Sequence, residues 1–233
     1  MFTDSARIYD LIYSWKDYPA ETRRVHSLIQ QHASGARTLL DVACGTGKHL
    51  EELARTYEAE GLDLDRGLLE IAAQRNPGVP LHEGDMTDFD LGKHFDAVTC
   101  LFSSVGYVLS LDNLDRALAA MARHLNPRGV LLLEPWFSPD EWIDGRPHAV
   151  VVDEPDLKIV RMNVSTSEDK LSVLHFHYLM ADTEGVAHFE ERHCLGLFTH
   201  EEYLRAFAEA GLQASYDDWG LEGRGLYVAT APR

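Results

Sequence analysis

Short apolar runs alternate with helix-period stripes along most of this chain, and the alternation is interrupted once. Ala20, Val25, Leu28 and Ile29 form a stripe that predicts a first long helix, after the dense aromatics Tyr9, Tyr13, Trp15 and Tyr18. The run at 38–42 predicts a buried strand, followed by a glycine turn, a helix over 49–57 and a strand over 58–63. A helix over 66–75 and strands at 80–83 and 95–102 come next. An amphipathic helix is expected at 112–125, stopped by Asn126-Pro127-Arg128-Gly129, with a strand at 130–135 beyond it. Between 137 and 198 the helical period disappears. Three β-prone segments, 158–166, 171–181 and 186–197, are separated by turn-like 167–169 and 183–185, as in an antiparallel meander. The first pattern resumes at Thr199, which forms a capping box with Glu202, and Gly211 closes that helix. Strands at 213–219 and 225–231 make a terminal hairpin.

Strands alternating with helices predict an α/β fold: a doubly wound, mostly parallel seven-stranded sheet with an inserted antiparallel β cover. The expected division is an aromatic lid helix over 1–34, a core of 35–137 with 199–233, and a cover over the active face at 138–198.

The turn after the first strand, TLLDVACGTGKHL, holds Gly45 and Gly47. Glycine permits positive φ and lets a ligand lie against bare main chain, and the helix start that follows offers free N–H groups. A dinucleotide loop would need a third glycine where Leu50 stands. A phosphate-gripping loop would need glycine at Val42 and Ser or Thr at His49. What remains, D-x-x-C-G-x-G led by Asp41, resembles the class I S-adenosylmethionine-dependent methyltransferases, with their Rossmann-like sheet. Asp63 then stands at the end of the second strand, placed to accept both ribose hydroxyls of an adenosine. Asp65 suits a helix cap, Asp85 could accept the adenine amino group, and Met86 offers apolar packing to the ring.

Composition narrows the partners. The chain has 233 residues, 45% of them apolar and 25% charged, enough for one domain with its own core. A net charge of −17 argues against nucleic acid, which needs a basic face, and FSSVGY after the fourth strand cannot imitate a base-flipping D/N-P-P-Y/F motif. No run is long enough to span a membrane and no signal pattern opens the chain, so a cytoplasmic protein is expected. Cys44, Cys100 and Cys194 lack metal-ligand spacing and read as small core residues. His175, His177, His188 and His193 lie on adjacent strands, where zinc has to be considered; without a regular ligand set, no metal is expected.

DVACGTG, GDM, FDAVTC with FSS-x-G, HLNPRG, EPWF and GRGLYV, together with YDLIY and KDY, resemble the N,N-dimethyltransferases of dTDP-linked amino sugars over nearly the whole chain. The resemblance implies S-adenosyl-L-methionine as cofactor and S-adenosyl-L-homocysteine as product. Its implied cofactor residues are Tyr13, Tyr18, Ala43, Gly45, Gly47, Asp63, Leu64, Asp85, Met86, Leu101, Phe102 and Ser103. The aromatic N-terminus would close over the cofactor, with Tyr13 and Tyr107 at the reacting end. Arg224 would hold the nucleotide diphosphate. From their own positions, Trp136 just past the fifth strand could stack on a substrate ring, His177 and Glu190 read as a wall of the substrate pocket, and Lys16 is placed on the substrate side. The chain departs from the family pattern twice. Tyr107 replaces a histidine, and the N-terminal loop is shortened to Ser14-Trp15, leaving only Lys16 as a basic residue. A homodimer through the inserted sheet is also implied. The expected activity is N-methylation of a nucleotide-linked amino sugar in natural-product biosynthesis. Alternatives are N- or O-methylation of another small acceptor, or a catalytically silent cofactor-binding regulator.

Overall fold

The computed structural model describes residues 5–232, so the first four residues of the expected lid and Arg233 lie outside the described residues. Seven strands make the main sheet: β1 (Thr38–Val42), β2 (Glu58–Asp63), β3 (Leu81–Glu83), β4 (Phe95–Cys100), β5 (Leu125–Leu133), β11 (Gln213–Asp217) and β12 (Leu226–Thr230). Their order is β11-β12-β5-β4-β1-β2-β3, parallel except that β12 runs against both of its neighbours. Adjacent β1 residues feed opposite faces. Leu39 packs with Val25, Ile29 and Leu50 on one side, and Leu40 with Leu114, Leu118 and Phe207 on the other. A sheet buried on both faces explains why its strands are continuous apolar runs.

The flanking helices are α2 (Tyr18–His32), α3 (Lys48–Leu53), α4 (Arg66–Arg75), α5 (Leu111–Arg123) and α6 (His200–Glu209), with a single-turn α1 (Tyr9–Ile12) before them. Asp17, Asp65, Ser110 and Thr199 cap α2, α4, α5 and α6 through their side chains, and Thr199 forms the expected capping box with Glu202. Among the described residues, no helix is long and apolar enough to cross a membrane.

The second sheet is antiparallel, in the order β10-β9-β7-β6: β6 (Pro147–Glu154), β7 (Leu157–Val164), β9 (Leu171–Asp182) and β10 (Gly185–Gly196), with a short β8 (Thr166–Glu168) pairing β9. The sequence pattern lacks β6, a mostly exposed edge strand that opens on proline. It also reads β8 as a turn. The strand expected at 130–135 begins at Leu125: Asn126-Pro127-Arg128-Gly129 continues it through an irregular register, with Arg128 at φ 65°. The helix expected to reach residue 57 ends at Leu53.

The inner face of the second sheet carries Val152, Ile159, Phe176, Tyr178 and Met180, and Ile8 and Ile12 of the N-terminal segment pack onto it. Burying such side chains is worth roughly 1.5–3 kcal/mol each. The N-terminal segment therefore belongs to the roof.

Candidate functional site

The glycine turn uses its two glycines for different reasons. Gly47, at φ 75°, lies against Asn76 and Ala72, so a side chain would collide with α4. Gly45, at φ 56°, faces open space within a cavity. Its N–H donates to Asp63 Oδ2 at 2.8 Å, while Asp65 N–H donates to Asp63 Oδ1 at 2.8 Å. Burial raises the Asp63 carboxyl, and these N–H donors oppose the shift. Both oxygens keep further acceptor capacity. Asp85 Oδ1 accepts from the N–H and hydroxyl of Thr87, each at 2.8 Å. Ala43, Leu64, Asp85 and Met86 border the same space.

The cavity measures about 750 Å³, within the range of small-molecule sites, and its lining includes residues of both the main sheet and the roof. On the N-terminal side, Asp10 accepts from the Thr46 hydroxyl at 2.7 Å and pairs with Arg75, which fastens the segment to the glycine turn. Tyr9 and Tyr13 have ring centroids 4.6 Å apart, and Tyr13 meets Phe102 edge-on at 5.0 Å. From the cover come Arg161, Asn163, Phe176 and His193. Arg161 donates to the Tyr13 hydroxyl at 2.9 Å and lies over the Phe176 ring at 4.5 Å, and its Nε is buried without a hydrogen-bond partner. At the end of β4, Phe102 and Ser103 both adopt positive φ, 54° and 59°. Phe102 N–H donates to Glu134 at 2.6 Å and the Ser103 hydroxyl to the Pro135 carbonyl at 2.6 Å, which hold this strained corner in place.

Tyr107 sits in the wall between these halves. Its hydroxyl is 2.9 Å from His193 Nδ1, and His193 Nε2 is 3.4 Å from Glu191, which in turn accepts from the Ser5 N–H and hydroxyl. Burial pushes the Tyr107 phenol well above its ordinary value. It therefore keeps its proton and stays a neutral hydrogen-bonding group in the cavity wall.

The cavity brings together Tyr13, Ala43, Gly45, Asp63, Leu64, Asp85, Met86, Phe102, Tyr107, Trp136 and Arg224. Seven expected residues lie elsewhere. Gly47 serves packing, Leu101 is core, Ser103 is buried against Pro135, and Tyr18 meets the His49 ring edge-on at 4.8 Å. Lys16 is buried between Glu21 (2.6 Å) and Glu222 (2.9 Å), tying the lid to the terminal hairpin loop rather than reaching a substrate. His177 and Glu190 point outward from the cover, because residues paired across β9 and β10 share a face and theirs is the solvent face. His188 shares that outer face and His193 does not, so the two cannot act as a pair. Arg161, Asn163, Phe176 and His193 went unassigned. Parity was the available signal: they stand an even number of places from buried apolar residues of their own strands or, for His193, from Leu195.

Asp41, the leading acid of the motif, is 2% exposed and accepts from the Thr99 hydroxyl at 2.8 Å. Burial pushes its carboxyl up to about 6, against an ordinary value of 3.8. A raised folded-state value makes the acid's contribution fully favourable below the ordinary value and lost as pH climbs through about 6. Asp41→Asn is therefore expected to be nearly neutral close to about pH 4 and to stabilise by about 3 kcal/mol at about pH 8. Urea midpoints at both pH values test this, and equal shifts would show that the carboxyl does not titrate there.

A bare Gly45 facing the cavity, a buried carboxylate at the end of β2 and the apolar pair Leu64 and Met86 fit an adenosyl group. Comparison with known proteins points the same way. The family described as a methyltransferase domain matches over residues 39–129. The chain is 42% identical to dTDP-3-amino-3,6-dideoxy-alpha-D-glucopyranose N,N-dimethyltransferase of Streptomyces fradiae, over 96% of this chain and 89% of that one. The crystal structure of Streptomyces venezuelae DesVI superposes with a TM-score of 0.94 at 41% identity, covering 99% of each chain. SAM-bound CalS10, an amino pentose methyltransferase from Micromonospora echinaspora involved in calicheamicin biosynthesis, gives 0.89 at 42% identity over 96% of each chain.

Proposed function

The chain belongs to the S-adenosylmethionine-dependent sugar N-methyltransferases, and from that premise we propose that it methylates, twice, the amine of a nucleotide-linked amino sugar in natural-product biosynthesis. The observation that carries the reading is one continuous cavity, lined by the adenosyl-fitting turn and by two arginines, Arg161 of the cover and Arg224 of the terminal hairpin loop. Residues 1–34 act in this reading as the lid and 138–198 as the cover.

Bound there, the sulfonium would supply a methyl group for in-line displacement by a neutral amine, leaving S-adenosyl-L-homocysteine and an ammonium whose proton passes to water before the second transfer. Asp63 receives the ribose hydroxyls and Asp85 the adenine amino group, while Tyr9 and Tyr13 close over the thioether end. Alignment of nucleophile and methyl supplies most of the acceleration, up to about 7–11 kcal/mol in favourable cases. Tyr107, a neutral phenol paired with His193 in the cavity wall, positions the acceptor amine toward the methyl. Arg161 and Arg224 face the diphosphate, and Trp136 gives the sugar an apolar wall.

The test is mass spectrometry of acceptors incubated with protein and S-adenosylmethionine, with dTDP-sugars bearing the amine at C3 or C4 and free amines as controls. Addition of one and then a second methyl to a nucleotide sugar is expected. Methylation only of free amines would move the function to another small acceptor, a reading favoured by Tyr107 where a histidine stands in the family pattern. Cofactor binding by calorimetry with no methylated product would leave a silent binding protein. In the same assay, Tyr107→Phe is expected to lower turnover several-fold and to leave cofactor affinity unchanged. Unchanged turnover would remove Tyr107 from the mechanism.

Self-association is part of the proposal. The β6–β7 half of the cover's outer face exposes Val151, Met162 and Val164, each more than half accessible, as an apolar surface suited to a second copy. Light scattering is expected to give a dimer that Met162→Lys converts to monomer. A wild-type monomer would end this part of the reading.

A further inference from the structure

Four ligand-bearing side chains converge on that outer face, away from the cavity. His175 and His177 alternate on β9, and Glu190 stands directly across from His177 on β10. Glu190 Oε2 is 2.8 Å from His175 Nε2, and Oε1 is 3.3 Å from His177 Nδ1. His188 joins them, with Nε2 3.8 Å from Glu190 Oε1 and its ring stacked on His177 at 5.8 Å. All four residues are exposed. We infer that His175, His177 and Glu190 form a binding site for a divalent transition-metal ion of the zinc class, with His188 beside it.

The ligand atoms of the three residues lie within 4.8 Å of one another. Ligands about 2.0–2.1 Å from a tetrahedral zinc are separated by roughly 3.3 Å, so rotation of exposed side chains closes the site without moving a strand. Two strands already hydrogen-bonded in register hold the ligands, so the ion fixes side chains whose backbones are in place. Two imidazoles and one carboxylate select zinc, copper or nickel over calcium and magnesium, which take all-oxygen sets. The neighbouring cation, Arg192, lies opposite His175 in register and is engaged by Glu168 at 2.9 Å. The protein supplies three ligands and leaves one position for water or His188. This inference does not depend on methyl transfer.

The experiment uses the full chain, tag removed and stripped with chelator, titrated with zinc chloride by calorimetry and counted by metal analysis after dialysis. One zinc retained per chain is the expected result. His175→Ala and His177→Ala should each weaken binding by at least about tenfold, with circular dichroism unchanged and a His94→Ala control unaffected. Glu190→Gln keeps the side-chain volume and tests the carboxylate should either alanine variant fail to fold. Absence of retained zinc, or binding indifferent to His175, His177 and Glu190, would overturn the site.

Discussion

Asp63→Ala is expected to raise the dissociation constant for S-adenosylmethionine at least about 100-fold. A buried carboxylate accepting two ribose hydroxyls makes two charge-assisted hydrogen bonds, each worth about 1.5–3 kcal/mol, and losing both costs two or more powers of ten. The substitution also releases the N–H groups of Gly45 and Asp65, which hold the turn in its ligand-ready shape. Calorimetric titration measures the effect. Asp63→Asn, which keeps the volume and one acceptor, should fall between the alanine variant and the parent. A dissociation constant within about threefold of the parent for Asp63→Ala would remove the residue from the cofactor site and weaken the assignment of the whole turn.

The second large effect concerns stability. Glu134 is completely buried, accepts from Phe102 N–H, and pairs with Arg224 through Nη2 at 3.0 Å and Nε at 3.3 Å. Arg224→Ala removes the guanidinium and leaves a buried charge without its partner, a loss of about 3–5 kcal/mol. In a chain of this size each kcal/mol moves Tm by about 2–4 °C, so the drop should exceed about 6 °C. The double variant Arg224→Met, Glu134→Gln should recover most of the stability while still showing a raised KM for a nucleotide sugar. The two roles of Arg224, counter-ion and diphosphate contact, separate in that comparison. If the double variant melts no higher than the single one, Glu134 is not the cause. If its KM is that of the parent, Arg224 does not touch the substrate.

The two halves of the site differ in how legible they are from sequence. Gly45, Asp63 and Asp85 each sit at the carboxyl end of a parallel strand, and in a doubly wound sheet those ends converge on one edge. The glycine turn and the two acids that follow it in chain order therefore fall on that edge together. The roof follows another rule. On β7, β9 and β10 a residue enters the cavity or faces solvent according to parity, and a one-place error exchanges the two. His177 and Glu190 are expected on the substrate side, whereas Ile159, Phe176, Tyr178 and Leu195, all buried, mark the opposite parity as inward. Lys16 differs from its expected place for another reason: besides Glu21, five residues on, it meets Glu222 of the terminal hairpin loop 206 residues away, and no local pattern announces that second contact. The edge strand β6 and the strand-continuing Asn126-Pro127-Arg128-Gly129 were missed because exposure and turn-forming residues masked their pairing.

Alternation in the cover sheet has an evolutionary consequence. Glu190 and Glu191 are successive residues of one strand, yet one belongs to the outer surface and the other to the hydrogen-bonded chain behind Tyr107. Two lineages of mutation can run along the same hairpin without meeting: positions alternating from Phe176 on β9 and from its partner Glu191 on β10 reshape the inner face, and the positions between them reshape what the exterior meets. A duplicated gene could acquire a new acceptor while its outer surface stays as inherited, or change its surroundings while its acceptor stays fixed.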